Sequence, residues 1–72
     1  MLQEVKSAAE ATQIAMSVIE KQYLFVRPIK AIRENDVWVV QIDVGAFKPR
    51  IGNFKIEAKT GLVLEYTIPS QE

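Results

Sequence analysis

Seventy-two residues with nine basic and nine acidic side chains, and neither cysteine nor histidine, set close bounds on this chain. At this length only about 60 % of the unfolded chain's surface is buried on folding, which leaves room for one small core and one domain, residues 1–72. The cancelled charge argues against nucleic acid and anionic membranes as partners, and the missing residue types remove disulfides, thiolate chemistry and the commonest general base and metal ligand.

Glu4, Lys6 and Glu10 stand where an export signal needs an apolar run. No stretch reaches the ~18 unbroken apolar residues of a membrane span. A cytoplasmic protein without membrane insertion is expected, unless an export segment has been removed.

In the first third, Val5, Ala9, Thr12, Met16, Ile19 and Tyr23 alternate spacings of four and three, the stripe of an amphipathic helix. Ala8, Ala11, Ala15 and Val18 broaden it. Ser7-Ala8-Ala9-Glu10 fits a capping box, in which the serine oxygen accepts the third helical N–H and the glutamate reaches back. The predicted helix runs from about Ala8 to Gln22, and Pro28 forces it to end before Arg27.

Ile29 to Glu34 and Val37 to Val44 read as strands around Asn35-Asp36, residues that tolerate the backbone of a tight turn. Counting back from that turn pairs Arg33 with Trp38, Ala31 with Val40 and Ile29 with Ile42. Lys30, Ile32, Glu34, Val37, Val39 and Gln41 fall on the other face, so one side of the pair is apolar and the other mixed. In the second hairpin, "FKIEAKTGLVLEY", a three-residue loop with Gly61 in the left-handed region sets Ala58 against Leu62, Ile56 against Leu64 and Phe54 against Tyr66. It also places Lys55 opposite Glu65. Between the hairpins lies the one long connection, "GAFKPRIGN", residues 45–53.

These elements predict an α+β fold in two layers: one N-terminal helix packed on a four-stranded antiparallel meander sheet. The expected core brings Trp38, Val40, Ile42, Phe54, Ile56, Leu64 and Tyr66 against Val5, Ala8, Ala9, Met16 and Ile19. Arg33, opposite Trp38, is expected to cover the indole by a cation–π contact.

The helix "SAAEATQIAMSVI", the strand "VWVVQID" and the closing "EAKTGLVLEY" together resemble a PepSY domain, whose typical ending is a polar residue, alanine, any residue, threonine, glycine and a short apolar strand. That resemblance implies a protein- or peptide-binding module, inhibitory or regulatory towards a protease. A second likeness, of "VWVVQIDV" and "KTGLVLEY", is to gas-vesicle accessory proteins of the O type, and implies a subunit of a larger assembly.

No set of residues offers nucleophile, base and stabiliser together, so no catalytic residues are assigned. Glu57 and Glu65 fall on the solvent face. Glu34, Asp36 and Asp43 lack the spacing of an oxygen-ligand loop, and the three glycines form no phosphate-binding signature, so no metal or cofactor is expected. Two surface groups are candidates for a partner. Phe47, Lys48 and Arg50 set an aromatic among cations, a composition frequent at interfaces, although the plainer reading folds Phe47 back onto the core. Ile32, Val37, Val39 and Val63 fall on the sheet face away from the helix, where a contiguous patch would suit a bound protein or peptide, or a second copy of the chain.

Overall fold

The computed structural model describes residues 3–69 and has the architecture expected from the sequence. One helix, α1 (Ala8–Ile19), is followed by β1 (Arg27–Glu34), β2 (Val37–Asp43), β3 (Ile51–Glu57) and β4 (Val63–Thr67). The strands form one antiparallel sheet in the order β1-β2-β3-β4. Among the described residues no helix is long and apolar enough to cross a membrane.

The capping box forms as read: Ser7 Oγ accepts the Glu10 amide at 3.2 Å, and the Glu10 carboxylate accepts the Ser7 amide at 3.1 Å. The helix ends at Ile19, short of Gln22, because the Gln22 amide turns back to the Ile19 carbonyl in a tighter bend. The buried face is also rotated from the expected stripe. Ala11, Ala15 and Ile19 are inaccessible, whereas Ala8 and Ala9 lie exposed. Alanines at this contact let the helix approach the large side chains of the sheet, Trp38, Val40, Ile42, Phe54 and Ile56.

Ahead of the helix, Val5 acts as a latch. Its side chain is buried, its amide donates to the Ala58 carbonyl at 2.6 Å, and its carbonyl accepts Trp38 Nε1 at 3.0 Å. Trp38 is thus held through its indole N–H. Arg33 does not cover it, since its Nε donates to the Asn35 carbonyl and its guanidinium faces Asp36. Trp38→Phe keeps an aromatic ring but strands a buried carbonyl, and is expected to lower stability by about 1–3 kcal/mol in denaturant titration. An unchanged midpoint would show that the latch contributes nothing.

Two registers depart from expectation at bulges. In β1, Pro28 lies opposite Ile42 and Lys30 opposite Gln41, so Ile29 is the extra residue and does not pair with Ile42. Proline brings no N–H to a ladder, and edge strands accommodate it at such irregularities. In the second hairpin, Phe54–Tyr66 and Lys55–Glu65 pair as expected, but Ile56 faces Val63 and not Leu64. The loop is one residue longer than predicted: the Glu57 amide donates to Leu62 O and the Gly61 amide returns to Glu57 O, so Glu57, not Ala58, faces Leu62. Ala58 is withdrawn from the hairpin because its amide bonds Asp36 O while its carbonyl holds Val5. Gly61, at φ +79°, closes the loop.

α1 lies chiefly over β1 and β2 and reaches β3 less. The outer edge of the sheet is therefore less covered, and Leu64 and Tyr66, expected in the core, are about half exposed. Tyr66 still stacks on the inaccessible Phe54, with ring centroids 5.3 Å apart. The connection between the hairpins is shorter than the sequence suggested, since Ile51, Gly52 and Asn53 belong to β3.

Candidate partner-binding cleft

At the end of the sheet where β2 passes to β3, the segment following α1 and the loop 44–50 enclose a cleft of about 800 Å³. Its apolar lining includes Tyr23, Leu24, Phe25, Phe47 and Pro49, and among the described residues its charged lining is Lys48 and Arg50. Phe47 is 97 % exposed, so it does not fold back onto the core, and Leu24 is exposed without reserve. Phe25 is partly exposed beside them. Two aromatics and a leucine displayed around one concavity form the kind of surface that solitary exposed apolar residues do not.

A single carboxylate organises this end of the molecule. Asp43, at the close of β2, is 3 % exposed. Its Oδ1 accepts the Gly45 amide at 2.9 Å and the Arg50 amide at 3.0 Å, and its Oδ2 meets Arg27 Nη2 at 3.1 Å. The Val44 amide donates to Arg50 O at 2.9 Å, so the loop is tied at both ends. Arg27 extends the network to the Phe25 ring, 5.9 Å from its centroid, and Arg50 lies 5.7 Å from the centroid of Tyr23 while its Nε donates to Pro69 O. Both walls of the cleft are therefore linked to Asp43. The residue weighed in the sequence as a metal ligand is instead consumed by two amides and a guanidinium.

The Gly45 and Arg50 amides, with a smaller contribution from Arg27, hold the Asp43 carboxyl below its ordinary range against the opposing effect of burial. A group whose pKa is depressed on folding stabilises the protein above its unfolded value of about 3.9 and loses that contribution as pH falls through the folded value. Relative to Asp43→Asn, the wild type should show a constant difference in melting temperature above about pH 5 that shrinks below about pH 4. A difference that does not vary with pH would mean that the carboxylate is not held by these donors.

The second group of candidates is only partly assembled. Ile32 faces Val39 across β1 and β2, and Val37 is two residues along the same face. Val63 pairs with Ile56 and packs against the core, so it belongs to the helix side of the sheet and leaves the outer patch. The remaining three side chains share their rows with Glu34, Glu57, Lys55 and Glu65. Lys55 and Glu65 are 3.6 Å apart, both well exposed, which makes them a weak surface pair.

The strand edges are poorly suited to receiving another strand. β1 carries Pro28, Lys30 and a bulge, and β4 carries a bulge between its pairings to Lys55 and Ile56. Proline, lysine and bulges are the usual devices that blunt an edge against pairing. What the sequence reading missed is the part played by Leu24, Phe25 and Asp43. An apolar run, Tyr23-Leu24-Phe25-Val26, in a connection between helix and strand was the available signal. Comparison of the chain with protein-family models, curated proteins and solved structures gives no match.

Proposed function

We propose that this domain is a non-enzymatic interaction module that binds a polypeptide segment in the cleft between residues 22–25 and the loop 44–50. The observation that carries the reading is Phe47: a large aromatic, 97 % exposed, on a loop whose two ends are tied to a buried carboxylate. A held loop presents its side chain from a backbone that has little entropy left to lose, which favours an aromatic there as an anchor. The resemblance to PepSY domains points towards the same class of activity, including a regulatory or inhibitory role towards a protease. Self-association as an accessory subunit has a narrower basis, because three outer-face side chains among charged neighbours are far from the about 800 Å² per partner of a stable interface.

A selection of random dodecapeptides on the wild-type domain provides the test, with Phe47→Ser as the comparison. Selected peptides should bind Phe47→Ser at least about tenfold more weakly, as expected for loss of an anchor, while its melting temperature stays near that of the wild type. Equal binding to both proteins, or a selection that yields no binders, would refute the assignment of the cleft.

A further inference from the structure

The charge of the cleft narrows the class of partner, and this step rests on the function proposed above. The chain as a whole is neutral, with nine charges of each sign. Among the described residues its cleft is not: the charged side chains lining it are Lys48 and Arg50, both cationic, and no described carboxylate joins the lining. Arg27 stands beside it with its side chain 65 % exposed, and the acid it meets, Asp43, is turned inward and occupied by the Gly45 and Arg50 amides. Cations of one sign set among apolar walls focus a positive field into the space between them. Two or three cations also neutralise few phosphates, and phosphate neutralisation supplies essentially all of non-specific binding to a polyanion.

We infer that the cleft takes an acidic peptide segment: a large apolar side chain seated among Leu24, Phe25 and Phe47, flanked by carboxylates that meet Lys48 and Arg50. The apolar residue supplies most of the affinity and the flanking acids select the partner and speed its capture. Because Arg50 also holds Pro69 O and lies over Tyr23, its guanidinium is already oriented, whereas Lys48 contributes a mobile charge at the rim.

The test uses three fluorescein-labelled peptides with one Gly-Leu-Trp-Gly centre and flanks of Asp-Glu, Ser-Gln or Lys-Arg, followed by anisotropy and by amide chemical shifts in the intact domain. The acidic peptide should bind at least about tenfold more tightly than the neutral one and lose that advantage between about 0.05 M and about 0.5 M salt. Its shifts should fall on residues 22–25 and 44–50. Lys48→Glu, a change at an exposed position, should reduce or reverse the preference. Equal affinity of the acidic and neutral peptides, with shifts still at the cleft, would overturn the inference and leave the proposed function standing. Absence of binding by all three at millimolar concentration would remove both. Preferential binding to phosphatidylserine vesicles over the acidic peptide would overturn the inference in favour of a membrane surface.

Discussion

Phe54→Ala should remove a large share of this domain's stability. Phe54 is inaccessible to solvent, lies between Val40 and Tyr66 in the sheet, and stacks on the Tyr66 ring. Truncating such a residue removes about 3–5 kcal/mol, because the cavity left behind closes only in part. A domain of this size has in all roughly 4–11 kcal/mol to lose, from about 0.05–0.15 kcal/mol per residue. Circular dichroism with guanidinium titration should show either no native baseline or a midpoint shifted to low denaturant. Phe47→Ala, by contrast, should fall within about 0.5 kcal/mol of the wild type, since its ring touches little in the free protein. A small effect at Phe54 would mean that the sheet does not face the helix as described.

Gly45→Ala is the second large effect, and it acts on the cleft. A Cβ built at this position would lie 1.7 Å from the Lys48 carbonyl oxygen and 3.0 Å from the Arg50 nitrogen. Both are backbone atoms, so no side-chain rotation relieves the clash. The backbone at Gly45 lies outside the left-handed region, which makes the restriction one of space and not of conformation. The loop must open, and opening it separates the Gly45 and Arg50 amides from Asp43 and redirects Phe47. Expected results are a stability loss of about 1–3 kcal/mol, as for other overpacked sites, amide shifts across residues 43–50, and loss of the selected peptides. A spectrum superimposable on that of the wild type would show that the loop does not take the described path.

These two phenylalanines show how far the sequence could be read. The fold was legible because periodicities of 3.6 and 2 act locally: the capping box at Ser7 and the face shared by Trp38, Val40 and Ile42 follow from spacing, and the pairs Phe54–Tyr66 and Lys55–Glu65 hold because the bulge at Leu64 offsets the longer loop. Departures arose where a tertiary contact overrode the local pattern. Ala58 is claimed by Asp36 and Val5, which lengthens the hairpin loop by one residue, moves Leu64 out of register and turns Val63 inward.

The cleft was half legible. Phe47, Lys48 and Arg50 were visible as a composition, but the sequence does not show that the segment 22–25 folds alongside them. Gly52 made residues 51–53 read as loop, although it lies within β3, where its missing side chain admits Ile68, whose Cγ1 would stand 3.0 Å from a Cβ built there. Asp43 was weighed in the sequence only as a metal ligand, and set aside. Only the closure of the loop, which brings two backbone donors to one oxygen, reveals its role.

Amide hydrogen exchange at Gly45 and Arg50 tests most directly whether the loop bearing Phe47 is held in place for a partner. Both amides should exchange at least about tenfold more slowly than in an unstructured chain, and Asp43→Ala should abolish that protection while α1 and β2 remain protected. Exchange at unstructured rates in the wild-type protein would contradict the account, because a loop that is not held offers no built surface.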